Sequence, residues 1–189
     1  MELNARHIVL FAVAQLDGRQ NGKTYLQKLC YFVQRLSGWQ LGFRAHYYGP
    51  YSDQVSAELS FLAGAGLLSE SRRGSGVAGN GGWEIARFDY SLTDLGRATV
   101  ERLAKEHPSE VNAVKTEINK VLDAGNQSYV DLSFAAKTDW ILQSEQVSMT
   151  VDRIADAAGK FNWNVKGTDV QKASDLLTKL GLANIRERS

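Results

Sequence analysis

The chain has 189 residues, 43% of them apolar, with two prolines, one cysteine and a formal net charge of +1. A chain of this length can bury a substantial core without staples, and a single cysteine excludes an internal disulfide or a cysteine-rich metal centre. The charge is about +2 over residues 1–107 and about −1 over 108–189, which excludes an acidic or basic tail and confines any nucleic-acid footprint to a local patch.

In chain order, the N-terminus carries no basic patch followed by an apolar run and a cleavage site, so no signal peptide is read there. Ile8–Leu16 is apolar but too short to span a bilayer. The expectation is a cytoplasmic protein with no membrane contact. Residues 3–16 read as a helix in which Ile8, Leu10, Phe11, Val13 and Ala14 cover more than one face, which predicts deep burial. Residues 18–22 read as a turn. A second helix is predicted over 23–37. Leu26, Leu29, Cys30, Val33 and Leu36 form its inner stripe, with Lys23, Gln27, Lys28, Gln34 and Arg35 outside it and Gly38 as its stop. The aromatic run 41–48 reads as a short strand broken by Gly49-Pro50. Ser52 is then placed to cap a third helix over 53–64, buried through Val55, Leu59 and Leu62 with help from Phe61.

Leu67–Ser71 and Trp83–Tyr90 read as the strands of a hairpin whose long, mobile tip is the glycine-rich stretch 74–82. Thr93 caps a helix over 94–106 that carries Leu95, Ala98, Val100 and Leu103. Pro108 marks a boundary between a first domain, 1–107, and a helical domain or dimerisation segment, 108–189. The second part holds helices over 109–123, 128–143 (with Val130, Leu132, Phe134, Ala136, Trp140 and Ile141), 150–158 and 168–180. Thr168 and Gln171 have capping-box spacing, and the tail 186–189 is expected to fray.

Helix, helix, strand, helix, strand, glycine loop, strand, helix is the order of a winged helix. Three short helices cannot seal a core alone, so a hairpin packs over the open side and its tip projects as the wing. The predicted fold class is therefore mainly α with a small antiparallel β-hairpin: a winged helix-turn-helix core plus a C-terminal helical segment. The run Leu59–Leu68, then the hairpin, then Tyr90-Ser91-Leu92-Thr93-Asp94-Leu95-Gly96 resembles PadR- and MarR-type winged-helix regulators. Across 22–68, the helix Leu26-Gln27-Lys28-Leu29-Cys30-Tyr31-Phe32 and the turn Tyr48-Gly49-Pro50 resemble YwgA-like and Panacea-type prokaryotic families, the latter associated with antitoxins. Tyr51-Ser52 stands where the Panacea pattern has an apolar pair, which tilts the resemblance toward the YwgA-like side. Neither resemblance implies a catalytic residue.

Two functions are expected from this reading. One is a dimeric DNA-binding transcriptional regulator. The resemblance to winged-helix regulators implies a recognition helix at 53–64, whose Gln54 and Ser56 would face bases, and a wing in which Arg72 and Arg73 would follow the phosphate backbone. Lys28 and Arg44 could extend the basic surface, although Asp53 and Glu58 place acids on the same helix. The other is an antitoxin-like or defence-accessory module that binds a partner protein, such as a toxin, through Tyr47, Tyr48 and Tyr51. His7, His46 and His107 lack metal-ligand spacing. Cys30 lies on the apolar stripe, and no catalytic residue, metal ligand or cofactor is predicted.

Overall fold

A computed structural model describes residues 3–16, 22–77, 84–125, 128–183 and 185–186, with the backbone alone described for 73–77, 84–87 and 186. The described chain is mainly helical with small strand pairs. Helices α1 (Ala5–Gln15), α2 (Lys23–Ser37) and α3 (Asp53–Gly64) precede an antiparallel hairpin of β3 (Leu68–Val77) and β4 (Glu84–Leu92). Helix α4 (Asp94–Glu106) follows. The remainder holds α5 (Pro108–Asp123), α6 (Tyr129–Glu145), α7 (Val151–Ala158) and α8 (Gly167–Lys179). Two further pairs are minimal: β1 (Phe43–Arg44) with β2 (Tyr51–Ser52), antiparallel, and β5 (Met149–Thr150) with β6 (Ile185–Arg186), parallel.

Local chemistry accounts for the element ends. The Ser52 hydroxyl accepts the Val55 N–H at 3.0 Å and starts α3, as its N-cap position requires. The Thr93 hydroxyl accepts the Gly96 N–H at 3.0 Å and itself donates to the Gly66 carbonyl at 2.6 Å. One side chain thus opens α4 and ties it to the turn after α3. Gly38 closes α2 in the left-handed region, φ 78°, where glycine avoids the Cβ penalty. Gly96 is fixed by space instead: a Cβ there would lie 2.1 Å from the Leu67 carbonyl oxygen.

Several expectations are corrected. The strand over 41–48 contracts to Phe43–Arg44. Gly42 turns left-handed, and the His46 carbonyl closes a turn onto the Gly49 N–H at 2.9 Å, so extended pairing stops. Leu95 and Val130 are 58% and 40% exposed rather than buried, because each lies in the first turn of its helix, off the packed side. Helix α8 is opened by the Asp169 carboxylate, which accepts the Lys166 N–H at 2.9 Å, not by Thr168 and Gln171. Of the tail 186–189, Arg186 pairs with Thr150 instead of fraying, and 187–189 lie outside the described residues. The glycine-rich stretch enters β3 as far as Val77; residues 78–83, including Trp83, lie outside the described residues.

One hydrophobic cluster runs through residues on both sides of Pro108, from Ile8 and Phe11 through Leu29 and Phe32 to Val114, Ile118, Leu132 and Leu177. Helix α5 packs on α1 and α2, and α6 packs on α2 and α8. Helix α2 therefore has neighbours on nearly every side. At Gly96, substitution by alanine is expected to destabilise the protein by about 1–3 kcal/mol, against the ~1 kcal/mol that alanine otherwise contributes in a helix. Gly64→Ala, with nothing within 4 Å of the new carbon, is expected to be neutral or mildly stabilising. Urea unfolding of the two variants checks this; equal behaviour would contradict the packing.

Candidate functional site

Helix α2 buries polar side chains among its apolar ones. Gln27 and Lys28 are each 1% exposed and Tyr31 is equally deep, correcting the expectation that Gln27 and Lys28 lie on the outer face. The physical reason is that the chain after α2 folds back over that face and meets each polar group. The Gln27 amide donates to the Ser52 carbonyl at 2.8 Å and accepts the Ser52 N–H at 2.9 Å, pairing with that residue as a strand neighbour would. The Ser52 hydroxyl donates in turn to the Leu41 carbonyl. The Lys28 ammonium donates to the Pro50 carbonyl at 2.6 Å. The Tyr31 hydroxyl donates to the fully buried Asp139 carboxylate of α6 at 2.6 Å, and Arg35 donates to both oxygens of that carboxylate at 2.6 and 3.3 Å. Helix α2 and the Gly49-Pro50 turn are thus bonded to each other.

The turn formed by residues 46–49 is braced from three sides. Lys28 holds its far side at Pro50. The Trp163 indole N–H donates to the His46 carbonyl at 2.7 Å. The Lys137 stem lies across Gly49, where a Cβ would sit 3.1 Å from Lys137 Cγ and 3.5 Å from Lys28 Nζ. Gly49 is left-handed at φ 98°, and Pro50 restricts it further. From this base Tyr47 and Tyr48 project 68% and 61% exposed, edge to face at 4.9 Å. Tyr51 is half-buried, its ring 5.0 Å from that of His46. The His46 Nδ1 is buried and meets no hydrogen-bond partner among the described residues.

The other predicted site residues do not gather. On α3, Gln54 is exposed and Ser56 half-buried. The two acids of that helix are already paired, Asp53 with Arg44 at 2.9 Å and Glu58 with Arg6 at 2.8 Å. Arg44 is thus engaged on the protein's own surface, and Lys28 is withdrawn into the interior. Arg72 is exposed on β3, and the Arg73 side chain lies outside the described residues. Burial pushes the Cys30 thiol up to about 12, which removes it as a nucleophile at neutral pH. Among the described residues no three His, Cys, Asp or Glu are placed to hold a metal ion, and no helix is long and apolar enough to cross a membrane. Sequence reasoning missed Gln27, Lys137, Asp139 and Trp163. The only signal for Gln27 was its place beside Lys28 in a helix otherwise rich in buried positions.

No protein-family model matches the chain. Over 103 residues it is 27% identical to the uncharacterized protein YwgA of Bacillus subtilis (strain 168), a stretch that covers 54% of this chain and 58% of that protein. The match therefore spans less than two thirds of the relative's length.

Burial, and then the neighbouring Lys137 cation, push the Lys28 amine down to about 7 from its ordinary 10.5. Between those values the unfolded chain binds the proton that the folded chain has released, so this residue makes stability rise with pH. The slope reaches at most ~1.4 kcal/mol per pH unit. Unfolding free energies at pH 7 and pH 9 should show this gain in the native protein and a smaller one in Lys28→Met. The window stops at pH 9 because the Cys30 thiol, raised in the fold, offsets the trend above it. Parallel pH profiles for the two proteins would refute the assignment.

Proposed function

We propose that this chain is a protein-binding module that docks a partner on the Tyr47–Tyr48 turn. The observation that carries the reading is an exposed pair of tyrosines on a turn held from α2, α6 and the segment after α7. Aromatic side chains supply large contact area with few rotors, and interface energy concentrates in such residues. A turn already locked in place loses little further entropy on binding. An antitoxin-like or defence-accessory role is one form of this function, in line with the Panacea-type resemblance of the same helix and turn.

A second reading, a cytoplasmic, dimeric DNA-binding regulator, draws on the order of three helices followed by a hairpin and on exposed Arg72. It is the weaker one. Lys28 is buried and Arg44 is paired with Asp53, leaving few cations for a polyanion near α3.

A photo-crosslinking residue at Tyr47, compared with one at exposed Leu95, tests the first reading in cells. A discrete protein adduct is expected from position 47 and not from 95, and it should vanish when Tyr48→Ala is added. Adducts of equal yield at both positions, or none, would count against it. In parallel, anisotropy with random-sequence duplex at low salt should show no saturable binding. Saturation that is lost in Arg72→Ala/Arg73→Ala would favour the DNA reading.

A further inference from the structure

Tyr47 and Tyr48 supply contact area but no preference for charge. The sign is set by the two lysines beneath them. Lys28 is a buried amine that donates to the neutral Pro50 carbonyl at 2.6 Å. Lys137 is half-buried, with its ammonium 5.6 Å from the centre of the Phe134 ring and 5.9 Å from that of Trp163. Among the described residues neither makes a salt bridge. The carboxylate whose field reaches Lys137, that of Asp169, accepts the Lys166 N–H. Two other partly buried cations are answered by acids, Arg35 by Asp139 at 2.6 Å and Arg6 by Glu58 at 2.8 Å. Lys28 and Lys137 thus converge on Gly49 with no salt bridge to either among the described residues.

We propose that the segment received on Tyr47 and Tyr48 is an acidic stretch of a partner protein, whose carboxylate is met by Lys137 with the Lys28 amine behind it. The inference rests on the protein-binding reading above and adds the chemistry of the occupant. A carboxylate at this position favours the protonated form of both lysines, and its attraction is screened less than at an open surface. A neighbouring apolar residue of the same segment packs on the tyrosines. A continuous polyanion fits less well, because it would also run past the carboxylates of α3, of which Asp53 is 71% exposed at its side chain. A short acidic segment carries its charge at one point.

The test is selection of random linear peptides displayed on phage against the immobilised full chain. Recovered sequences are then synthesised and titrated by fluorescence anisotropy. Enriched peptides should carry Asp or Glu beside an apolar residue. Replacing those acids by Asn and Gln should weaken binding by about tenfold or more. Lys137→Met, which keeps the stem on Gly49, should cause a similar loss, with little further loss when it meets the amide peptide, and Lys137→Arg should restore affinity. Tyr47→Ala/Tyr48→Ala should abolish binding, with unchanged thermal midpoints showing that the fold is kept. Neutral peptides that still need the tyrosines would overturn the acidic occupant while leaving the docking surface standing. Peptides indifferent to the tyrosines, or no enrichment over a bare surface, would overturn both. Displacement of the peptide by a random single-stranded oligonucleotide at equal charge would overturn the choice of a protein partner.

Discussion

A polar group removed from water must find a partner or cost about 1–3 kcal/mol, and helix α2 withdraws four such side chains from water, three of them fully and Arg35 in part. Gln27, Lys28, Tyr31 and Arg35 each reach a group from outside the helix: Ser52, Pro50, and Asp139 for the last two. Apolar packing alone would let the chain after Ser37 and the chain after Pro108 settle in several arrangements of similar burial. Hydrogen bonds are directional, so these four select one. The buried Asp139 illustrates the constraint from the other side. Its charge is tolerated in α6 because Tyr31 and Arg35 donate to it, and that requirement holds α6 against α2.

The same constraint shapes the surface. The turn at 46–49 is not stiffened by its own strand pairing, which lasts only two residues on each side. It is stiffened by grips that come from three places in the fold, at Pro50, at Gly49 and at the His46 carbonyl. Tyr47 and Tyr48 are left outside while the His46 and Pro50 carbonyls on either side of them are bonded inward. Exposed tyrosines on a loose loop would lose rotational and backbone freedom on contact. Held in this way, most of that cost has been met by folding.

Charge pairing redistributes what the chain can offer to a ligand. The acids of α3, unfavourable for a recognition helix when read alone, are answered by Arg44 and Arg6. The Arg6 guanidinium also lies 3.7 Å from the centre of the exposed Phe61 ring. Cations that looked available for phosphate contact thus serve the protein's own surface. Lys28 and Lys137, under the aromatic turn, make no salt bridge among the described residues.

Helix limits, caps and the hairpin were legible in the linear chain because they depend on neighbours a few residues away: Ser52 and Thr93 cap where their spacing places them, Gly38 stops α2, and α3 begins and ends as its periodicity requires. The mainly α character with one long hairpin follows from the same local rules. The fate of Gln27 and Lys28 was not legible. Helical periodicity places them beside apolar positions but does not say what covers them, and their partners lie 25 and 22 residues away. Tyr31 and Asp139 are 108 residues apart, and Trp163 reaches a carbonyl 117 residues before it. Which tyrosines stay outside and which lysines lose their solvent were decided by those distant contacts, because burial belongs to the packed chain and not to any segment of it.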